Sequence, residues 1–256
     1  MRQSRCSTTR CRLPTSTALR AFALDPPAYL PPERGVTVLD EPRFHLTVSP
    51  DGRNATVCHL RTDRIAEVFH DVRAHAPHAR VVWITDGSCE TELRALGCRD
   101  QDPPLTSHIT ALATVEPPPA VETIEVRRVE SYDDFVVAME VANSGWQTNV
   151  SGDLEARWSR HRDRPGGDWV AVLEGRPVAY AGAIAGTHGL FLTGGVTLPE
   201  ARGRGAYRAL VRARWNEAVR RGAPALVVHA EDASRRVLER IGFERVGDVV
   251  ELIADP

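Results

Sequence analysis

VTLPEARGRGAYRALVRARWNEAVRR, residues 196–221, reads as the end of a strand, a tight glycine-containing loop and a long amphipathic helix. Val196, Thr197 and Leu198 close an apolar run, and Pro199 ends it by removing a ladder donor. Gly203 and Gly205 supply the backbone freedom for a loop that folds close against something. From Tyr207 the apolar positions are Tyr207, Leu210, Val211, Trp215, Ala218 and Val219, a helical spacing that leaves the arginines outside. A strand–loop–helix unit of this kind aims unpaired amides, at the positive end of the helix dipole, toward one spot. The spacing therefore predicts an anion site, with Arg202, Arg204 and Arg208 around it.

Two familiar phosphate loops are excluded. No Gly-x-Gly-x-x-Gly occurs, and the chain contains no lysine for a Walker loop. Arg202-Gly203-Arg204-Gly205, placed after a strand ending in Val-x-x-Pro-Glu, instead resembles the pyrophosphate loop of the GNAT superfamily of acyl-CoA N-acyltransferases. Arg202 and Gly205 match that family's Gln/Arg-x-x-Gly-x-Gly/Ala, while Tyr207 stands where the family has Gly or Ala.

Working outward, Thr114–Glu122 holds Pro117-Pro118-Pro119, a stiff linker. Beyond it, Ile124–Ile253 reads as β, α, α, β, β, β, α, β, α, β, the order of a whole GNAT domain. Ser131 with Asp134 opens the first of these helices as a capping box, and Glu174-Gly175-Arg176-Pro177 marks a hairpin. Upstream, strands are predicted at Arg43–Val48, Ala55–Leu60, Arg80–Thr85 and His108–Ala113, with helices at Arg64–Ala74 and Glu90–Leu96. Arg61–Cys98 lies on Ala206–Phe243 without a gap, at a constant offset (243 − 98 = 145) that superposes Gly97-Cys98 on Gly242-Phe243. This predicts an internal repeat. The first copy has Cys58–Asp63 and no glycine where the second has its loop, so it reads as a scaffold that binds no CoA.

The expected organisation is a disordered leader at 1–35, a degenerate GNAT-like scaffold at 36–115, a linker at 116–123 and a GNAT N-acetyltransferase domain at 124–256. The second domain is expected to fold alone from about Val121. The fold class implied is α/β (α+β): a GNAT-like mixed, mostly antiparallel central sheet flanked by helices, as a tandem repeat with a degenerate first copy.

Composition narrows the partners. The 256 residues carry a net charge of −2, which argues against a dedicated nucleic-acid binder, and all 32 basic residues are arginine. The five cysteines include no Cys-x-x-Cys and the nine histidines no His-Glu-x-x-His, so no metal site is expected. No apolar run has membrane-spanning length, and a cytoplasmic location is expected.

The resemblance implies acetyl-CoA as co-substrate and an amine as acceptor: a small molecule or a peptide. It implies a pantetheine arm lying between the strands Leu190–Leu198 and Ala225–His229, paired with backbone amides. The implied cofactor-binding set is Val196, Thr197, Leu198, Arg202, Gly203, Arg204, Gly205, Ala206 and Tyr207. No catalytic residue is assigned. The family's frequent helix tyrosine falls on Leu238, its frequent asparagine on Glu231, and Leu190–Val196 contains no acid. His229 and Glu231 are read as a polar strand end and a solvated acid, Tyr207 as packing. Trp146 and Trp158 fall near the family's acceptor entrance, with core packing as their default reading. Three functions follow: an active N-acyltransferase, an acyl-CoA-binding or regulatory module with impaired turnover, and a structural or partner-binding relative without a ligand.

Overall fold

The structure is a computed structural model that describes residues 16–102, 105–148 and 153–256. Its first element is a helix, α1 (Thr17–Leu24), capped by the Ser16 side chain, which accepts from the Leu19 amide. Part of the expected disordered leader is therefore ordered; its residues 1–15 lie outside the described residues. Leu19, Phe22 and Ala23 are buried against the middle of the sheet, and that apolar face explains the helix.

The first half continues with β1 (Thr37–Asp40), β2 (His45–Val48), β3 (Asn54–Cys58), α2 (Ile65–His75), β4 (Arg80–Thr85), α3 (Glu90–Ala95), β5 (Arg99–Asp100) and β6 (His108–Thr114). The second contains β7 (Glu125–Arg128), α4 (Tyr132–Trp146), α5 (Leu154–Asp163), β8 (Gly166–Leu173), β9 (Arg176–Gly186) and β10 (Gly189–Thr197). It closes with α6 (Ala206–Arg220), β11 (Leu226–Ala230), α7 (Asp232–Arg240) and β12 (Glu244–Ala254). The capping box of α4 is present, with Ser131 and Asp134 each bonded to the other's backbone. Ser234 lies inside the first turn of α7, where its hydroxyl donates to the Glu231 carbonyl.

All strands join one sheet in the order β1-β2-β3-β4-β12-β6-β11-β10-β9-β8-β7, with β5 beside β12. Only β3–β4 and β10–β11 are parallel among the described pairs. The centre shows how the two copies are joined. β6, from the first half, runs antiparallel between β11 and β12, while β12, from the second, runs between β6 and β4. Each copy thus lends its last strand to the other across a pseudo-two-fold between β6 and β12. The sequence reading placed a boundary at 116–123; the sheet runs across it, with β6 filling the place between β11 and β12 that residues 121–256 alone would leave open. Helices α2, α3, α6 and α7 cover one face, and α1, α4 and α5 the other.

Helix α6 departs from its predicted pattern. Val219 is 51% exposed, whereas Arg214 is 1% exposed and Glu217 is buried. Arg214 lies one turn after Leu210 on the same face, where its Nε donates to the Leu210 carbonyl and its Nη1 to the Gly182 carbonyl. That carbonyl is free to accept because the opposing strand bulges between Thr193 and Gly195. Glu217 is buried beneath Arg128, Arg220 and Arg221, which together supply its hydrogen bonds.

Candidate functional site

The backbone of the candidate site comes from β10. This strand pairs with β11 only at Leu190↔Leu226 and Phe191↔Val227, and from Leu192 onward the two diverge. Over the same stretch β10 stays bonded to β9, through Gly195↔Ala181, Val196↔Tyr180 and Thr197↔Ala179. The Leu198 amide donates to the Val178 carbonyl at 2.9 Å, so Leu198 turns toward β9. Strand alternation then aims the amides of Thr197 and Gly195 at the open edge.

At the bulge, Gly194 has φ +41° and is exposed, as is Gly195. A Cβ on Gly194 would lie 3.1 Å from the Trp146 ring and 3.7 Å from that of Tyr180; one on Gly195 would lie 2.8 Å from the Tyr207 ring. Three aromatic rings therefore stand against a strand segment that only glycine allows. The sequence reading missed this pair, although Gly-Gly within a strand is itself a bulge signal.

The loop completes the arrangement. Gly203 has φ +77°, and Gly205, at the N-terminus of α6, has φ +94°. A Cβ at Gly205 would press on Val121 Cγ1 at 3.2 Å and face Arg208 Nη2 at 3.4 Å. Arg208 has no carboxylate partner among the described residues, whereas Arg204 is committed to an exposed ion pair with Glu174. Arg202 donates from Nε to the Thr197 carbonyl at 3.3 Å, bracing the loop against the strand end. Ala206 is buried, so its backbone is all it offers a ligand. Val196 is buried with its methyls against Gly145. Tyr207 is half-buried between Gly195 and Arg214, whose guanidinium carbon stands 5.9 Å from the ring centroid.

Of the residues weighed for chemistry, Leu238 is fully buried in the core and Glu231 is exposed. His229 lies under α1, with its Nε2 2.9 Å from the Ala23 carbonyl. Trp158 packs on Phe135 and His161, while Trp146 is 43% exposed and meets Tyr180 edge-on.

On the α4/α5 face, beyond Tyr180, lies a cluster that the sequence reading did not find. Asp168, 2% exposed, accepts from the Tyr180 hydroxyl and from Arg164 Nη2, each at 2.9 Å, and lies 2.9 Å from His161 Nδ1. Burial, reinforced by Asp168, drives the Tyr180 ionisation far upward, so the hydroxyl stays protonated and donates. No group of three or more potential metal ligands occurs among the described residues, and no helix there is long and apolar enough to cross a membrane.

A splayed parallel pair, a bulge of exposed glycine and a glycine loop at a helix N-terminus together meet a family model. Residues 132–243 match the model of the acetyltransferase (GNAT) family. This segment is a GNAT acetyltransferase domain. Among solved structures, the whole chain is similar to a GCN5-related N-acetyltransferase from Kribbella flavida (17% identity, TM-score 0.66, covering 93% of this chain and 95% of that one). It is also similar to a GCN5-related N-acetyltransferase from Sphaerobacter thermophilus (18% identity, TM-score 0.57, 93% and 84%). A third is a tandem GNAT protein from the clavulanic acid biosynthesis pathway (16% identity, TM-score 0.56, 87% and 84%). At these identities the likeness is one of fold, and it extends over both halves of the sheet. No curated protein matches the sequence.

Proposed function

We propose that the chain is an N-acetyltransferase that moves an acetyl group from acetyl-CoA to a primary amine, with the GNAT domain as its working half. The observation that carries this reading is the coincidence of the β10/β11 splay, the exposed Gly194-Gly195 bulge and the Gly203–Gly205 loop. Gly203 and Gly205 pass a simple fit test for a diphosphate: among the described residues nothing stands within 4 Å of a Cβ built on Gly203, and the half-exposed Gly205 leaves beside Arg208 no side chain of its own, where a Cβ would crowd Val121. The α6 N-terminus and Arg208 supply positive charge there, with Arg202 bracing the loop. The outward amides of Thr197 and Gly195 suit an added extended chain and a thioester carbonyl.

In the reaction a neutral amine attacks the thioester carbon. The N–C bond forms, the C–S bond breaks, and the proton lost by nitrogen ends on the departing thiolate. An amine with an ordinary pKa of ~10.4 must first shed a proton to solvent. Positioning supplies much of the remaining rate. A reducing compartment, the cytoplasm, suits a chain whose Cys58, Cys89 and Cys98 are buried free thiols.

Thiol release from acetyl-CoA, followed in the presence of a panel of amines, tests the proposal. Amine-dependent release is expected. CoA binding without release by any amine would favour the binding-module reading, and absence of CoA binding would favour the structural one.

A further inference from the structure

Between α5 and the Tyr180 ring the protein keeps a cavity of about 170 Å³, with Arg157, Arg160, His161 and Arg164 among its walls. It adjoins a cleft of about 1010 Å³ where α5 and the β8–β9 end of the sheet face β1, β2 and the proline-rich segment before β1; Glu33, Arg160 and Arg164 line both. Charge inside the smaller cavity is not balanced. Asp168 is fully engaged by Tyr180, Arg164 and His161. Glu33, the other acid lining it, is exposed at the rim. Arg157 and Arg160 have no ion pair among the described residues. Arg157 Nη1 and Arg164 Nε are buried and have no hydrogen-bond partner there.

Buried guanidinium donors left unpaired cost free energy, and a surface helix offers cheaper residues for mere packing. Their planar fork suits a carboxylate bound through two oxygens. Tyr180 also lines this cavity, and its ring stands 3.7 Å from a Cβ built on Gly194, next to Gly195, whose amide is proposed to meet the thioester. One tyrosine ring thus separates an unpaired cationic pocket from the bulge.

We infer that the acceptor is an amine that also carries a carboxylate, and that Arg157 receives the carboxylate while the amine reaches past Tyr180 to the Gly194 bulge. The amine half of this inference rests on the acetyl-transfer reading; the carboxylate half does not. Its ligand class is a short amino-acid-like molecule with several bonds between its two ends, such as a dipeptide. The adjoining cleft leaves room for the remainder of a larger acceptor.

The test titrates the full chain with glycylglycine and with its C-terminal amide by calorimetry, for the wild type, Arg157→Ala and Arg157→Gln. The expected result is that the amide binds about tenfold or more weakly than the acid, as for the loss of one charged hydrogen-bonded contact. Both variants are expected to lose that factor toward the acid and nothing toward the amide. Arg157→Gln keeps most of the stem, so a loss shared by both variants points to the charge and not to packing. Equal binding of acid and amide, indifference to Arg157, or no binding would overturn the inference. Thiol release from acetyl-CoA separates the two readings. Charge-selective binding without release sinks acetyl transfer and leaves the carboxylate pocket standing; release indifferent to the carboxylate does the reverse.

Discussion

The sheet contains two parallel pairs, and they are treated differently. In the first half, β3 and β4 stay in register from Asn54↔Arg80 to Val57↔Trp83. In the second, β10 and β11 part after two residue pairs. The segments that follow differ in the same sense. After β3, His59 takes φ +54°, and its amide is capped by the Asp25 carboxylate from the end of α1. After β10, the loop turns on Gly203 and Gly205, and among the described residues no side chain caps the start of α6. At the first copy's counterpart of the loop, Leu24, Asp25 and Leu60 line a cavity of about 120 Å³. One copy thus satisfies its strand-end amide internally and zips its strands, while the other keeps both open. The contrast shows how a duplicated unit becomes support: an acid from a neighbouring element occupies the place of a ligand.

The helices behind the loops diverge in the same way. Phe69 and Val72 of α2 correspond, at the offset of the repeat, to Arg214 and Glu217 of α6. Phe69 stacks on Trp83 at 5.6 Å, and Val72 is fully buried. Their counterparts are a buried arginine under the bulge and a buried carboxylate clamping β7 to α6. Arg214 satisfies the Gly182 carbonyl beside the bulge, while Glu217 is held by arginines alone.

The largest expected effect breaks the pairing of the copies. A fragment of residues 121–256 lacks β6, and we expect circular dichroism to show no cooperative melting, with recovery on adding a peptide spanning residues 106–116. A cooperative monomeric fragment without the peptide would show that the strand exchange is dispensable. Next is α1, which covers the exchanged strands. Phe22→Ala should cost about 3–5 kcal/mol in chemical denaturation, as for other buried aromatic truncations. A cost below ~1 kcal/mol would mean that the helix merely rests on the sheet.

Glu217 gives a smaller, pH-dependent effect. Burial opposes its ionisation, but hydrogen bonds from Arg220 and Arg221, with the charge of Arg128, outweigh it and hold the pKa at about 2, below the ordinary 4.5. A folded-state pKa below the unfolded one stabilises above the unfolded value, and that stability is lost as pH falls from 4.5 toward 2. Glu217→Gln should lower stability at pH 7 and flatten its decline across that window. Parallel acid-denaturation curves for the two proteins would remove the clamp from the account. The smallest effect is expected at the exposed Arg204–Glu174 pair, where Arg204→Ala should leave the melting temperature unchanged. A clear drop in thermal denaturation would give this surface pair a structural role.

Much of this was legible in the sequence. Periodicity and capping gave nearly every helix, and the glycine loop with the element order gave the fold. Four features were not legible, for physical reasons. Helix α1 is short and carries Arg20 in its middle, and only the tertiary face presented by β6, β11 and β12 makes it form. The exchange of β6 and β12 is a choice between two edges that local patterning does not distinguish. Arg214 fits the helix phase, but a charge there reads as surface until the bulge supplies its carbonyl. The Asp168 cluster joins residues of α5, β8 and β9 whose separation along the chain carries no motif.

The central claim, one open copy and one closed, is tested most directly by calorimetric titration of the full chain with CoA. The account predicts one site per chain, unchanged by Leu60→Ala in the closed copy. It predicts at least tenfold weakening by Gly205→Val, which strains a left-handed position and crowds Val121. Two sites per chain, or full affinity in Gly205→Val, would contradict it.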